Sequence, residues 1–173
     1  MNQDIYAECL VKRKDPPYKI LYYIGVVFLF LIGLVASMLF SFGFIVLFGA
    51  VAVVWFVGPR LHVEYEYVFV TNEMEIDRIF SQRYRKKGQK IEMQKVELVA
   101  PMSSHEFDNV KQNPQIKVVD YSSKMPDART YGVTYSDDKG RFLFVIEPND
   151  AILKCMKSTA PRKVQVDPKL LNS

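Results

Sequence analysis

The sequence predicts an α+β membrane protein, in which a two-helix transmembrane hairpin is followed by a small antiparallel β-barrel or sandwich closed by a C-terminal helix. Three observations lead to this prediction. An uncharged stretch of 38 residues runs from Ile20 to Val57. Beyond it, apolar and polar residues alternate as they do in strands. Near the C-terminus, a segment with helical spacing follows the last predicted strand.

The uncharged stretch is too long for one straight transmembrane helix. At 1.5 Å per residue it would measure about 57 Å, whereas the hydrocarbon core of a bilayer is about 30 Å thick. We therefore place two spans at residues 20–39 and 43–57, with the turn at Phe40–Gly43, where Ser and Gly interrupt the run. The stretch is also much longer than the apolar core of a signal peptide, which argues against a cleaved leader.

Small residues recur at every fourth position on one face, at Gly33 and Ser37 of the first predicted span and at Ser41 just after it. Such a row allows two helices to approach closely in a membrane. The alternative, in which these residues simply face lipid, is left open by the sequence.

Positive charges flank the predicted hairpin and are absent from its turn. The flanking cations are Lys12, Arg13, Lys14 and Lys19 before it and Arg60 after it. Because Lys and Arg are enriched in cytoplasmic loops, we expect both termini to be cytoplasmic and the protein to lie in the cell membrane.

Residues 1–19 are predicted to form an N-terminal amphipathic leader helix, over roughly residues 5–14. Ile5, Tyr6, Cys9 and Leu10 share one face at helical spacing, and Pro16 and Pro17 end the segment. This helix would lie on the membrane interface, dock on the β domain, or be a frayed leader, and the sequence does not separate the three.

Residues 58–160 are predicted to be the β domain. Its expected elements are strands near 61–69, 74–80, 91–99, 116–121, 131–135 and 142–147, a bulge near Asp77, a helical turn near 104–110 and a helix near 150–158. The strand at 142–147 is apolar on both faces, which places it centrally in its sheet. Residues 161–173 are predicted to be a loose tail.

This order of elements resembles the pleckstrin-homology-like (PH-like) fold. The resemblance is carried by the strand with Tyr65-Glu66-Tyr67, the Thr71-Asn72 turn and the strand with Ile76-Asp77-Arg78-Ile79, all directly after the second span. It is closest to an uncharacterised family of bacterial membrane proteins, with a domain of unknown function, that join a two-helix hairpin to such a domain. The resemblance implies a module that contacts lipid or protein, and no catalytic residue.

A predicted loop at residues 81–90 contains five cations and no acid. These cations are Arg83, Arg85, Lys86, Lys87 and Lys90. Because a cation near an anionic leaflet contributes about 1 kcal/mol, we expect the loop to contact anionic lipid headgroups. The alternative is that the loop is solvated and that its charges only keep this part of the chain on the cytoplasmic side of the membrane. One loop with a single Tyr is too weak a signal for nucleic-acid binding.

The remaining polar residues do not predict an enzyme, a metal site or a cofactor. Cys9 and Cys155 lie far apart, and with only two His residues there is no spacing for a zinc site. Glu64 and Glu66 share a strand face, but an exposed face explains them better than paired carboxylate catalysis. The segment 103–106, Ser-Ser-His-Glu, is better explained by a helix cap.

Two functions follow. The first is a membrane-anchored, non-catalytic binding or scaffold protein whose cytoplasmic domain contacts anionic lipid or a partner, most simply another membrane protein. The second is an accessory subunit of a larger membrane complex that assembles through the hairpin itself.

Overall fold

The computed structural model describes residues 5–40 and 42–166. Within them, the chain divides into two compact units. The helical unit comprises residues 14–63 and 79–85, and the sheet unit comprises 5–13, 64–78 and 86–166.

Two apolar helices dominate the helical unit: α1 (Lys19–Leu39) and α2 (Gly43–Val57). A 3₁₀ turn at Gly58–Leu61 extends α2, and both helical segments are long and apolar enough to cross a membrane. The helices therefore occur where the uncharged stretch predicts them, and almost all of their large side chains are exposed.

The two helices run antiparallel and pack through small residues. Near the start of α1, the Tyr22 hydroxyl donates a hydrogen bond of 3.2 Å to the Val53 carbonyl near the end of α2. Gly33 is buried, and a Cβ there would lie 2.9 Å from the Leu47 side chain. A Cβ at Gly43 would overlap the backbone of Ser37.

The first sheet has the strand order β1-β2-β3-β4. Its strands are β1 (Tyr6–Lys12), β2 (Val63–Val70), β3 (Glu73–Phe80) and β4 (Tyr84–Glu92). β1 pairs antiparallel with β2, from Tyr6 opposite Val70 to Lys12 opposite Glu64. The helices are thus inserted between two paired strands, and the chain leaves and re-enters the sheet at adjacent positions.

The predicted leader helix is wrong, because residues 6–12 form strand β1 instead. Ala7 and Val11 are buried, whereas Tyr6 and Leu10 are exposed, so the segment has the period of two of a strand. The same short sequence fits both periods, and the hydrogen bonds that β2 offers decide between them.

The predicted basic loop is also wrong, because its residues form the turn after β3 and most of β4. Ser81 and Gln82 have φ values of 48° and 56°, and the Arg83 N–H donates to the Phe80 carbonyl at 3.0 Å. This geometry is that of a two-residue type I′ turn, which usually contains Asn-Gly. Ser-Gln is an unusual sequence for it and gives no hairpin signal.

The second sheet has the order β5-β7-β8-β6. Its strands are β5 (Val96–Pro101), β6 (Ile116–Asp120), β7 (Tyr131–Asp137) and β8 (Gly140–Ile146). β8 lies between two neighbours, as its two apolar faces predict, but it pairs with β6 in parallel. The segment 91–99, predicted as one strand with a bulge or bend between Met93 and Val96, is divided there by a turn at residues 93–95 that separates β4 from β5.

Two short helices complete the sheet unit. A 3₁₀ turn at His105–Phe107 leads into α3 (Asp108–Gln112), and α4 (Asp150–Thr159) follows β8. The Asn149 side chain caps α4 by accepting from the Ile152 N–H at 2.9 Å. Ile152, Leu153 and Met156 form its buried face.

Part of the predicted loose tail is attached to the sheet. Val164 is buried and bridges Val99 in parallel, and the Gln165 N–H donates to the Val99 carbonyl at 2.7 Å. Residues 167–173 lie outside the described residues. The eight strands of the described ranges form two sheets and not a closed barrel.

Candidate functional site

The tip of the β3–β4 hairpin belongs to the helical unit and is fixed to the end of α2. The Ser81 N–H donates to the His62 carbonyl at 2.8 Å, and the Ser81 hydroxyl donates to the Pro59 carbonyl at 3.1 Å. The Arg83 guanidinium lies 5.9 Å from the centroid of the Trp55 ring, within the range of a cation–π contact. The cationic segment therefore begins beside the last turn of the second apolar helix.

Aromatic side chains surround this tip. Trp55 is exposed, and the rings of Phe80 and Tyr84 stack with a centroid distance of 5.0 Å. Trp and Tyr are enriched where a membrane meets water, because each combines an apolar ring with a polar group. The tip thus places arginines and amphipathic rings together at one end of the helical pair.

Four of the five predicted cations are exposed on the turn and the first half of β4. They are Arg83, Arg85, Lys86 and Lys87. Lys90 differs, because its ammonium lies 2.6 Å from a carboxylate oxygen of Glu73 on the neighbouring strand. The hydrogen bond to Glu73 raises the pKa of Lys90. This internal pair makes Lys90 the weakest candidate of the five for contact with a ligand.

The helical unit concentrates positive charge outside its apolar helices. It has five Lys or Arg residues against one acid, Asp15. The Asp15 carboxylate lies 2.8 Å from the Lys19 ammonium and 3.1 Å from Nδ1 of His62, so it is engaged within the same cluster. The cations are Lys14, Lys19, Arg60, Arg83 and Arg85.

Gly88 fixes the course of β4 beside β3. A Cβ at this position would overlap the carbonyl oxygen of Ile76, so only glycine permits the approach. The Gly88 N–H donates to Oδ1 of Asp77 at 3.1 Å, a side-chain acceptor. The bulge expected near Asp77 remains a prediction. The Asp77 side chain helps to hold β4, the strand that carries most of the cations, beside β3.

The predicted helix-packing residues are placed as follows. Gly33 lies against Leu47 of α2, whereas the Ser37 hydroxyl donates to the Leu34 carbonyl of its own helix at 2.8 Å. Ser41 lies outside the described residues. A role for this row in assembly remains a proposal.

The residues weighed for catalysis do not converge. Glu64 is buried on β2 opposite Lys12, and Glu66 lies opposite Leu10. The Ser104 hydroxyl caps the 3₁₀ turn, and Nδ1 of His105 lies 3.2 Å from the Asp108 carboxylate in solvent. Across residues 5–40 and 42–166, no group of three His, Cys, Asp or Glu residues is arranged to hold a metal ion.

Two contacts of the helical unit are not apparent from the sequence. The contact of Trp55 with Arg83 joins positions 28 residues apart in the sequence. Gly43, at the start of α2, approaches the backbone of Ser37 so closely that an added Cβ would overlap it. A non-local contact and a close approach of two backbones leave no periodic signal in a sequence.

The fold defines a class of protein: a PH-like α+β domain with an apolar helical hairpin inserted between its first two strands. The chain belongs to the family described as Bacterial PH-like domain (DUF6106), a domain of unknown function, whose model matches residues 3–166. Because the match spans the helices as well as the strands, the hairpin is part of the family domain. No curated protein and no solved structure matches the chain.

Proposed function

We propose that the protein is a membrane-anchored, non-catalytic binding protein whose basic hairpin tip contacts anionic lipid headgroups on the cytoplasmic side. The contact between Arg83 and Trp55 carries this proposal, because it places the start of the cationic segment at the end of an apolar helix that is long enough to span a bilayer. PH-like domains are generally non-catalytic, which supports the non-catalytic part of this proposal.

The energetic argument rests on four cations acting together. At about 1 kcal/mol for each cation near an anionic leaflet, Arg83, Arg85, Lys86 and Lys87 would contribute roughly 4 kcal/mol. That energy is enough to fix the orientation of a domain already tethered by two helices. It would also weaken with salt, since the Debye length is about 8 Å at physiological ionic strength.

The experiment measures the depth of the hairpin tip in nanodiscs that contain the full chain. A spin label is placed at Gln82, through a cysteine in a Cys9→Ser, Cys155→Ser background, and its accessibility to oxygen and to a nickel complex is recorded. We expect the label at headgroup depth in discs with phosphatidylglycerol and above the surface in pure phosphatidylcholine.

A matched pair of variants makes this test specific. Replacement of Arg83, Arg85, Lys86 and Lys87 by Gln should abolish the difference between the two lipids. Lys90→Gln should leave it unchanged, because Glu73 already neutralises that charge. An equal depth in both lipids for the unmodified chain would contradict the proposal.

A second function, an accessory subunit assembled through the hairpin, is favoured by one feature of α1. A shallow groove of about 380 Å³ is lined entirely by apolar residues: Leu31, Ile32, Val35, Ala36, Leu39 and Phe40. Val35→Trp would fill this groove, whereas Leu21→Trp, at an exposed position outside it, is the control. Loss of a detergent-stable larger complex with the first variant alone would favour this function.

A further inference from the structure

The outer edge of strand β1 offers main-chain hydrogen-bonding groups that β2 does not use. The Thr71 N–H donates to the Ile5 carbonyl at 2.8 Å, which fixes the phase of the antiparallel ladder. Hydrogen-bonded and non-hydrogen-bonded residue pairs alternate along an antiparallel ladder. Residues 7, 9 and 11 therefore bond to β2, whereas the N–H and C=O groups of residues 8, 10 and 12 point away from it. In the described residues, β1 is the outermost strand of its sheet.

The first part of this edge is already covered. The Asn149 side-chain amide, at the start of α4, donates to the Glu8 carbonyl at 3.0 Å. Beyond that contact, the edge at Leu10 and Lys12 opens onto a groove of about 400 Å³. The opposite wall is formed by Ser123, Met125 and the segment from Glu147 to Asn149.

Two apolar side chains and one carboxylate give the groove its chemistry. Leu10 is 58% exposed and Met125 is 49% exposed, so both present apolar surface to a ligand. The Glu147 carboxylate is half-buried and uses Oε2 to accept the Ser123 N–H at 2.9 Å. Burial raises the pKa of the Cys9 thiol, so this residue adds no charge at neutral pH.

The groove lining contains one carboxylate, that of Glu147, and one ammonium, that of Lys12. Lys12 is balanced by Glu64, which lies directly opposite on β2. Glu147 is therefore the carboxylate of the lining that a cationic side chain of an occupant can meet. An occupant with Lys or Arg side chains is therefore complementary to this surface.

We propose that this groove binds an extended, basic juxtamembrane segment of another membrane protein, which adds as a short strand to β1 at Leu10 and Lys12. Alternating main-chain donors and acceptors at strand spacing are matched by an extended polypeptide and not by a lipid. Only six residues separate Lys12 from α1, and cytoplasmic flanks of membrane spans are rich in Lys and Arg. The choice of a membrane partner rests on the proposed membrane anchoring, whereas the peptide groove itself does not.

The experiment selects ligands from a library of random twelve-residue peptides with the full chain in detergent micelles. We expect the enriched peptides to alternate apolar residues with at least one Lys or Arg and to lack Pro in the central segment. Binding should shift the amide resonances of Leu10 and Lys12 more than those of β4.

Three variants test the geometry. Leu10→Pro removes an outward N–H without removing a bond to β2, and we expect at least a tenfold weaker Kd. Leu10→Ala keeps that N–H and should weaken binding less. Glu147→Gln keeps the acceptor for Ser123 but removes the charge, so it should weaken binding of the basic peptides about tenfold while sparing a peptide with Lys replaced by norleucine.

Any of the following outcomes would overturn the proposal. Failure to enrich any peptide, enrichment of acidic peptides, or equal affinity in Leu10→Pro would exclude this groove as a basic-peptide site. A dimer of the chain that dissociates in Leu10→Pro would show that a second copy occupies the edge instead. The lipid-depth experiment at Gln82 uses different residues, so its failure and the failure of peptide selection are distinguishable.

Discussion

The hydroxyl of Tyr67 donates a hydrogen bond of 2.6 Å to the main-chain carbonyl of Tyr121. Tyr67 lies on β2 in the first sheet, and Tyr121 directly follows β6 in the second. The same hydroxyl accepts a long hydrogen bond of 3.4 Å from the Glu147 N–H at the end of β8. One fully buried side chain thus joins both sheets of the domain.

Tyr67→Phe should lower the free energy of unfolding of the sheet unit by about 1–3 kcal/mol. The phenylalanine ring fills the same space, but the carbonyl of Tyr121 is left buried without this donor. Chemical denaturation of the full chain in micelles, followed by near-ultraviolet circular dichroism, measures the loss. Tyr84→Phe, at an exposed position, is the control and should leave stability unchanged.

Tyr67 also predicts a loss of stability in alkaline solution. Burial, the largest effect, raises the pKa of Tyr67 above its ordinary value of 10.0. Below pH 10 the hydroxyl is protonated in both states and has no effect on the pH dependence. Above pH 10 only the unfolded chain releases this proton, so stability should fall by up to about 1.4 kcal/mol per pH unit. The difference in slope between wild type and Tyr67→Phe isolates this contribution.

Local sequence patterns were sufficient to predict part of the fold. The two apolar helices, the strands β7 and β8, and helix α4 follow from charge, alternation and helical spacing. The family resemblance is confirmed by the match over residues 3–166.

The predictions from sequence were wrong for segments whose structure depends on residues far away in the chain. Strand β1 depends on β2, which lies 50 residues further along the chain beyond the helical hairpin. The parallel β6–β8 pair and the attachment of Val164 beside Val99 are likewise non-local. The basic segment was identified by its charge, but its strand conformation depends on a turn at Ser81 and Gln82 without the usual glycine.

Gly43→Ala should disrupt the contact between α1 and α2. Its added methyl group would overlap the backbone of Ser37, which cannot move as a flexible side chain can, so the helices must separate. We expect a loss of about 1–3 kcal/mol in the stability of the helical pair. Cross-linking between cysteines placed at Tyr22 and Val53 should fall, whereas Gly49→Ala, with open space around the added atom, should leave it unchanged.

Gly88→Ala should displace the basic strand from β3. The added methyl group would meet the Ile76 carbonyl, and the hydrogen bond from the Gly88 N–H to Asp77 would be lost with the shift. Hydrogen exchange of the β4 amides should accelerate by at least tenfold. If lipid contact needs a fixed strand and not merely its charge, the depth of a label at Gln82 should change as well. Unaltered exchange would show that β4 tolerates the added atom.

The position of the helices between β1 and β2 predicts the membrane topology. Lys12 is paired with Glu64, so the chain enters and leaves the hairpin at neighbouring points, and antiparallel helices return it to the side from which it started. Cysteines introduced at Lys14 and Lys139, in a background without Cys9 and Cys155, should react with an impermeant maleimide from the same face of sealed vesicles. A cysteine at Phe42, in the exposed turn between α1 and α2, should react only from the opposite face. Labelling of positions 14 and 139 from opposite faces is incompatible with paired β1 and β2 strands that flank two complete spans.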